Sequence, residues 1–180
     1  MLRFPQGHAV ARRSLLHEVP ANSLDYLEAF TPEVVRLQPD VIHAHDVHTI
    51  PVASIAAEEL ERATGVRPWW IYDAHEFIAG LSLYGRRDAV ERAGWLNLEQ
   101  EYAPGADAII TVSPDLAEEL RGRYPQVPRV DEVLNAPWHT DERPRPLGGG
   151  VRGQVGVGAD VPLVVYSGVV TDARGVRTAI

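Results

Sequence analysis

Short apolar runs of strand length alternate along the chain with longer segments whose apolar residues recur every three or four positions. Runs rich in β-branched and aromatic residues predict strands, and the amphipathic segments between them predict helices. The predicted strands span residues 39–46, 69–73, 106–112, 129–134 and 161–166. Strands that alternate with helices at this spacing predict an α/β protein with a parallel sheet covered by helices.

Most of the predicted helices begin at a residue whose side chain can cap a free backbone N–H. The helices are expected over residues 23–37, 50–63, 88–102 and 113–124, with caps at Ser23, Thr49 and Ser113. In the first of them, Thr31 followed by Pro32 forms a second cap, so this helix is expected to be kinked or in two pieces. A proline and an acid follow Ser113, which strongly favours a helix start after the third strand.

Polar residues that can carry chemistry follow two of the predicted strands. They are Asp73, His75 and Glu76 in the stretch PWWIYDAHEF, and His43, His45, Asp46 and His48 at the end of the strand over 39–46. The two ends hold four of the seven histidines and lie about 30 residues apart, the length of one βαβ unit. Because ligands of open α/β sheets bind outside the carboxyl ends of strands, these ends are the first candidates for a functional site.

Two further segments are candidates for ligand contacts or for a domain boundary. A loop over residues 78–87 contains Gly80, the aromatic Tyr84 and two arginines, and such loops commonly contact ligands. Asn135 follows the strand over 129–134. Beyond it, residues 136–160 are enriched in Pro, Gly and Arg, as expected of a linker.

Composition excludes several classes of site and partner. The formal net charge of −8 argues against nucleic acid and against an anionic membrane surface as partners. The absence of cysteine excludes thiolate catalysis and Cys-ligated zinc, and the absence of lysine excludes Schiff-base chemistry. The sequence has no apolar run of bilayer length and no secretory apolar region after Met1, so a cytoplasmic location is expected.

The cluster from His43 to His48 also suggests a metal site. Histidines two apart on a strand face the same side, and a neighbouring carboxylate can complete a set of three ligands. The acid lies one place earlier than in the His-x-His-x-Asp-His pattern of metallo-β-lactamase-type hydrolases. We therefore expect a polar strand end without a metal. A metal-dependent hydrolase that uses His43, His45, Asp46 and His48 remains an alternative.

Five segments occur in an order that resembles one known family. They are PDVIHAHD, YDAHE, ADAIITVSPDLAEEL, VLNAP and VPLVVYSGVVTDARGV. Together, over residues 39–180, they resemble the GT-B glycosyltransferases of family 4. The resemblance implies an α/β, Rossmann-like parallel sheet with helices on both faces. It also divides the chain into part of an N-terminal acceptor domain (1–136), a linker (137–160), and the first strand, turn and helix of a donor-binding domain (161–180).

The resemblance implies roles for individual residues. His75 occupies the place of a histidine that faces the cleft near the transferred sugar, and it is the expected catalytic residue. Gly168 matches a glycine that lets the donor diphosphate approach the backbone, and Arg174 replaces a common lysine near that diphosphate. Val169 stands where an arginine is common. The expected substrate-binding residues are His45, Asp46, Asp73, Glu76, Gly80, Tyr84 and Asn135.

The implied activity is a retaining transfer of sugar from a UDP- or GDP-linked donor to a hydroxyl of a glycan, lipid or small-molecule acceptor. No cofactor besides this co-substrate is expected, and peripheral membrane association of the full enzyme stays open. The family's Gly-rich loop should precede this sequence and its E-x7-E motif should follow. Since neither is present, the chain is expected to be incomplete and inactive alone, and a non-catalytic binding remnant is a further alternative.

Overall fold

Contacts divide the chain into two compact units, Met1–Asn135 and Ala136–Ile180. The structure, a computed structural model, describes residues 21–81, 86–136, 150–170 and 174–179. In the first unit the strands are β1 Val41–His45, β2 Trp69–Ala74, β3 Ala108–Thr111 and β4 Val130–Glu132. They form one parallel sheet in the order β1-β2-β3-β4. The first four predicted strands are thus confirmed, as is the α/β, Rossmann-like class.

Helices precede and connect the strands of this sheet. They are α1 Ala21–Leu37, α2 Ile50–Thr64, α3 Arg86–Tyr102 and α4 Pro114–Arg123, with short 3₁₀ turns at Ile78–Gly80 and Ala103–Gly105. Because sequential parallel strands lie side by side and their crossovers are right-handed, α2, α3 and α4 pack on the same face of the sheet. In the described ranges, no helix is both long enough and apolar enough to cross a membrane.

Alternate strand residues form a buried face beneath these helices. In the central strand, Trp70 is 0% and Tyr72 1% exposed. The register places Tyr72 between Ala44 of β1 and Ile109 of β3, which are also buried. Full burial of a large apolar side chain stabilises a fold by about 1.5–3 kcal/mol, so this face anchors the strand that ends in Asp73.

The opposite face of the sheet is more exposed in the described part of the chain. Val41 and Trp69 belong to it and are 53% and 66% exposed. By the alternation of strand side chains, His43, His45 and Asp73 share this face. The continuous apolar sequence of β2 predicted burial on both faces, whereas the strand is fully buried only on the face of Trp70.

Helix α1 was predicted to be kinked or in two pieces at Pro32. The helix is continuous across Pro32, so the second of these forms is not observed. Proline lacks an N–H and disfavours a helix interior. Here Leu27 and Thr31, both 8% exposed, hold the turn before the proline against the core. Tertiary packing of this kind commonly overrides a local preference.

Of the two caps that flank the site, one has the predicted geometry. Ser113 Oγ accepts a hydrogen bond from the backbone N–H of Leu116 at 3.2 Å, which confirms the predicted cap of α4. Thr49 does not cap α2 with its side chain. Its hydroxyl donates instead to the carbonyl oxygens of His45 at 2.7 Å and Asp46 at 3.0 Å, and so ties the helix start to the end of β1.

The second unit contains two short helices, α5 Gly150–Gln154 and α6 Val176–Ala179. The strand predicted over residues 161–166 is not formed. Those residues are irregular and mostly exposed. A strand requires a neighbour for its backbone hydrogen bonds, and the described residues of the second unit contain no strand that could supply them. Helix α5 lies within the predicted linker, whose residues 137–149 fall outside the described ranges. The assignment of this unit to a donor domain stays a prediction.

Candidate functional site

Backbone hydrogen bonds hold the ends of β1 and β2 side by side. His45 is in register with Asp73, and the N–H of Asp46 donates to the carbonyl of Asp73 at 2.9 Å. Asp46 then adopts a left-handed conformation with φ of 67°, which the short polar side chain of aspartate tolerates better than most. The chain therefore turns away from the sheet at a fixed point beside the end of β2.

The carboxylate of Asp73 is shared by two histidines. Its Oδ2 lies 2.9 Å from His43 Nε2, a normal hydrogen-bond distance, and its Oδ1 lies 3.5 Å from His75 Nε2. The Asp73 side chain is 13% exposed, whereas those of His43 and His75 are 52% and 35% exposed. Asp73 thus holds His43 directly and leaves its second oxygen facing His75 across a wider gap.

His45 completes a group of three side chains at this edge. Its ring centroid lies 4.3 Å from that of His75, and its Nδ1 lies 3.2 Å from Asp46 Oδ2. One nitrogen of each of the two rings and one oxygen of Asp73 lie within 4.8 Å of one another. We call His45, Asp73 and His75 the strand-end cluster. Within the described ranges, it is the one group of His, Asp and Glu side chains spaced to hold a metal ion.

His48 points away from the strand-end cluster. Its Nδ1 lies 3.3 Å from Ser23 Oγ on α1, and its ring meets the edge of Trp95 at a centroid distance of 5.5 Å. Burial lowers the pKa of His48, and the nearby Asp46 carboxylate offsets this only in part. At neutral pH this imidazole is therefore a neutral part of the wall beneath α1.

The ligand set suggested for a metal-dependent hydrolase is consequently not assembled. His43 turns to Asp73 and His48 turns to Ser23, so the four side chains do not share one ligand site. For His48 the reason is that β1 ends at His45. Beyond that residue the alternation of a strand no longer places side chains on a common face.

Two cavities adjoin the end of β2. The larger, of about 440 Å³, is lined by His75, Phe77, Ser113, Asp115 and Glu119 among others. The smaller, of about 290 Å³, is lined by Asp46, His48, Tyr72, Glu76 and Trp95 among others. Ligand sites commonly have volumes of roughly 300–1,000 Å³. The consecutive residues His75 and Glu76 therefore face two different spaces, each of small-ligand size.

A buried carboxyl group supports β2 from the helix side. Glu99 of α3 is 2% exposed and accepts hydrogen bonds from the hydroxyls of Tyr72 at 2.9 Å and Tyr124 at 3.1 Å. Burial raises the pKa of Glu99, and the two tyrosine hydrogen bonds oppose the rise. Burial and the charge of Glu99 together raise the pKa values of Tyr72 and Tyr124. Both tyrosines therefore remain hydrogen-bond donors at neutral pH.

Helix α3 also holds the loop that follows β2. The guanidinium of Arg92 donates to the carbonyl of Leu81 at 3.0 Å. Gly80 lies in this turn, where a Cβ would clash with the ring of Phe77. Gly80 was predicted to bind substrate, which stays a prediction; what the structure shows is that its missing side chain leaves room for the Phe77 ring. Tyr84, also predicted to bind substrate, lies outside the described residues.

The other predicted site residues divide between the cavity wall and more distant positions. Glu76 is exposed and lines the smaller cavity with Asp46. Asn135 is exposed beyond β4, two strands from β2 or about 10 Å at normal strand spacing, and is not part of the strand-end cluster. Gly168 and Arg174 belong to the second unit. Gly168 has φ of 151°, a conformation that favours glycine.

Sequence reasoning missed several residues around the site. Ser113 was interpreted only as a cap and Asp115 only as a first-turn acid, yet both line the larger cavity. Their position after β3 was the available signal, because neighbouring parallel strands end at the same edge. Glu99 was missed as a core residue, although it follows Trp95 by four positions on a helix face that also bears Leu98.

Comparison with known proteins places this architecture in a family. Residues 2–138 match the sequence model described as Glycosyl transferase 4-like domain. A search of curated proteins finds no match. The matched region includes all four strands and both strand ends that carry the candidate site. Since it covers well over half of the sequence, the chain belongs to the glycosyl transferase 4-like domain family.

Proposed function

We propose that this glycosyltransferase moves a sugar from a nucleotide-sugar donor to an acceptor hydroxyl, with retention at the anomeric carbon. The observation that carries the proposal is the position of His75. It follows the central strand at the carboxyl edge, is 35% exposed, and lines a cavity of about 440 Å³. A polar side chain that a rigid sheet presents to a cavity of this size can orient a reacting sugar.

His75 is the residue that positions the reacting groups. Its ring packs against His45 and faces Asp73 Oδ1, so two neighbours restrict its rotation without burying it. A neutral imidazole can donate from one nitrogen and accept at the other, and it can therefore contact a sugar hydroxyl in either role. Holding that contact in the transition state lowers the barrier by removing the cost of orientation.

Asp46 and Glu76 bind hydroxyls of the acceptor. Both carboxylates line the smaller cavity, in which Trp95 supplies an aromatic wall. Carboxylate oxygens accept hydrogen bonds from hydroxyls, and a few polar groups on an aromatic lining are typical of small-molecule sites. The Asp46 side chain is 40% exposed, and Glu76 is exposed, so an acceptor can reach both.

Gly168 and Arg174 bind the donor diphosphate. Arg174 is exposed and carries a permanent positive charge, and the glycine lets phosphate oxygens approach the backbone. Charge that builds on the departing diphosphate is stabilised by such fixed positive groups, so this step requires no metal.

The test is turnover by the native protein that contains these residues, measured as nucleotide release from a panel of UDP- and GDP-sugars with glycan, lipid and small-molecule acceptors. His75→Ala is expected to lower kcat by ~10²-fold, the size of effect found for positioned catalytic groups, with little change in thermal stability. Arg36→Ala is the matched control, because Arg36 is an exposed residue of α1 that pairs with Glu33.

Two outcomes would contradict the proposal. Wild-type turnover in the His75→Ala variant would show that His75 takes no part in the reaction. If a correctly folded protein releases nucleotide from none of the UDP- and GDP-sugars, the assignment of a UDP- or GDP-linked donor is wrong.

A further inference from the structure

The strand-end cluster has the composition of a transition-metal site. Two imidazoles and one carboxylate, from His45, His75 and Asp73, are ligands that zinc and its neighbours accept in proteins. One ligand atom from each lies within 4.8 Å of the others. We propose that these three side chains bind a divalent transition ion of the zinc type, with at least one coordination position left for water.

The separation of His75 from Asp73 favours an ion between them over a direct hydrogen bond. Their Nε2 and Oδ1 atoms lie 3.5 Å apart, beyond the ordinary range of roughly 2.7–3.2 Å for N–H···O bonds. Two ligands that each lie about 2.1 Å from a tetrahedral zinc are about 3.4 Å from one another. His75 Nε2 and Asp73 Oδ1 are therefore already at the distance expected of two ligands of one zinc ion.

Neighbouring residues are placed to orient the ligands. His43 Nε2 holds Asp73 Oδ2 at 2.9 Å, which leaves Oδ1 on the side of His75. Asp46 Oδ2 lies 3.2 Å from His45 Nδ1, so a small rotation would let this carboxylate accept a hydrogen bond from the Nδ1–H and leave the other ring nitrogen to bind the ion. Metal-bound histidines usually donate their second N–H to a carboxylate or carbonyl in this way.

To close around an ion, the strand-end cluster would move mainly at His45, the most exposed of its three side chains. All three ligand atoms lie within 4.8 Å of one another, so a pair at that limit must approach by about 1.4 Å to share an ion at normal bond lengths. The His45 side chain is 56% exposed, so a small rotation of its ring meets little resistance from packing. Asp73, at 13% exposed, stays fixed.

The two imidazole ligands of the strand-end cluster favour transition ions over Mg²⁺. Imidazole nitrogens suit zinc, cobalt, nickel and copper, whereas Mg²⁺ prefers an all-oxygen shell and retains its waters. An ion at this position would occupy the His75 nitrogen that faces Asp73. If the proposed function is correct, Zn²⁺ and the sugar compete for His75, and the ion inhibits transfer.

The experiment is a titration of the untagged, chelator-treated full chain with Zn²⁺, followed by calorimetry and by competition with a chromophoric chelator. We expect one saturable site that Mg²⁺ does not fill. His45→Ala and His75→Ala should each weaken Zn²⁺ binding by at least the ~10–100-fold that loss of a supporting residue causes, and His43→Gln should weaken it by ~10-fold or more. Titration with Co²⁺ should give visible absorption that the His75→Ala variant lacks.

His48→Gln is the matched control, because His48 contacts Ser23 instead of the cluster. It should bind Zn²⁺ as tightly as the wild type. The proposal is wrong if wild type shows no saturable site at millimolar Zn²⁺, or if His45→Ala and His75→Ala bind as tightly as His48→Gln. The titration needs neither donor nor acceptor, so its result is independent of the transfer assay. Circular dichroism of the metal-free variants confirms that each is folded.

Discussion

The hydroxyl of Tyr72 donates to Oε1 of Glu99 across 2.9 Å, and this bond joins the middle of β2 to helix α3. Both residues are almost completely buried, and Tyr72 directly precedes Asp73 on the opposite face of the strand. The strand that presents His75 is therefore fixed in the core by a group that can lose a proton. Protonation of Glu99 links pH to the stability of the sheet.

Glu99→Gln is expected to stabilise the protein increasingly as pH rises. Burial raises the pKa of Glu99 above its ordinary value of 4.5, so the folded state binds this proton more tightly than the unfolded chain. The resulting stability is complete below the ordinary pKa and is lost as pH rises through the raised pKa, by up to ~1.4 kcal/mol per pH unit. Glutamine does not titrate, so this loss is absent from the variant.

Urea unfolding of both proteins from about pH 4 to pH 8 measures the effect. The difference in unfolding free energy between variant and wild type should grow as pH rises above the ordinary pKa and level off once pH exceeds the raised pKa of Glu99. Glu118→Gln, on the exposed side of α4, controls for the loss of one negative charge. A difference that stays constant with pH would show that Glu99 titrates alike in the folded and unfolded states.

Tyr72→Phe should lower the unfolding free energy by about 1–3 kcal/mol, because it leaves a buried carboxyl oxygen without its donor. It should also raise the pKa of Glu99 further, since the Tyr72 hydrogen bond lowers that pKa. A double-mutant cycle with Glu99→Gln measures the coupling. Equal losses from Tyr72→Phe in both backgrounds would mean that hydroxyl and carboxyl are energetically independent.

Asp107 should matter more to stability than its ion-pair partner Arg67. Asp107 Oδ2 accepts the backbone N–H of Trp70 at 2.8 Å and also lies 3.0 Å from Arg67 Nη1. Asp107→Ala removes the acceptor at the start of β2 and should cost about 1–3 kcal/mol. Arg67→Ala breaks a partly exposed pair and should cost about 1 kcal/mol or less.

Chemical denaturation of the two single variants decides this order. Asp107→Asn is the matched control, since its amide oxygen can still accept from Trp70. It should retain more stability than Asp107→Ala. A larger loss in Arg67→Ala than in Asp107→Ala would show that the ion pair, and not the strand contact, is the important interaction.

Ser113→Ala should destabilise the protein by about 1 kcal/mol through loss of the helix cap. The Ser113 hydroxyl accepts the Leu116 N–H, and alanine leaves that donor without a partner from the side chain. Ser113→Asp retains an acceptor and should keep most of the stability in a thermal melt. Equal losses in both variants would mean that the hydroxyl has a different role.

The strands and the location of the site were predictable for related reasons. β-branched and aromatic runs such as that of β2 have few alternatives to a strand, and parallel strands end at a common edge. That edge brings His45 beside Asp73, as the strand ends suggested. The hydrogen bond between His43 and Asp73 was not predictable. It depends on the register between β1 and β2, which the packing of the whole sheet sets.

Two expectations differ from the structure for another physical reason: the strand over residues 161–166 and the division of α1 at Pro32. Residues 161–166 have the local composition of a strand, but a strand forms only where a neighbour takes its hydrogen bonds. Pro32 has the local signature of a helix start, but the packing of Leu27 carries α1 through it. In both cases long-range contacts, which local patterns do not encode, decide the structure.

The alternation of β2 also places two neighbouring indoles in opposite surroundings. Trp69 is 66% exposed and Trp70 is 0% exposed, although they are consecutive in the chain. Trp69 should emit at longer wavelength and be accessible to iodide, whereas Trp70 should be protected from that quencher. The sheet thus contains its own pair of fluorescent reporters, and any molecule that covers the exposed face would shift the emission of Trp69 towards the blue while leaving Trp70 unchanged.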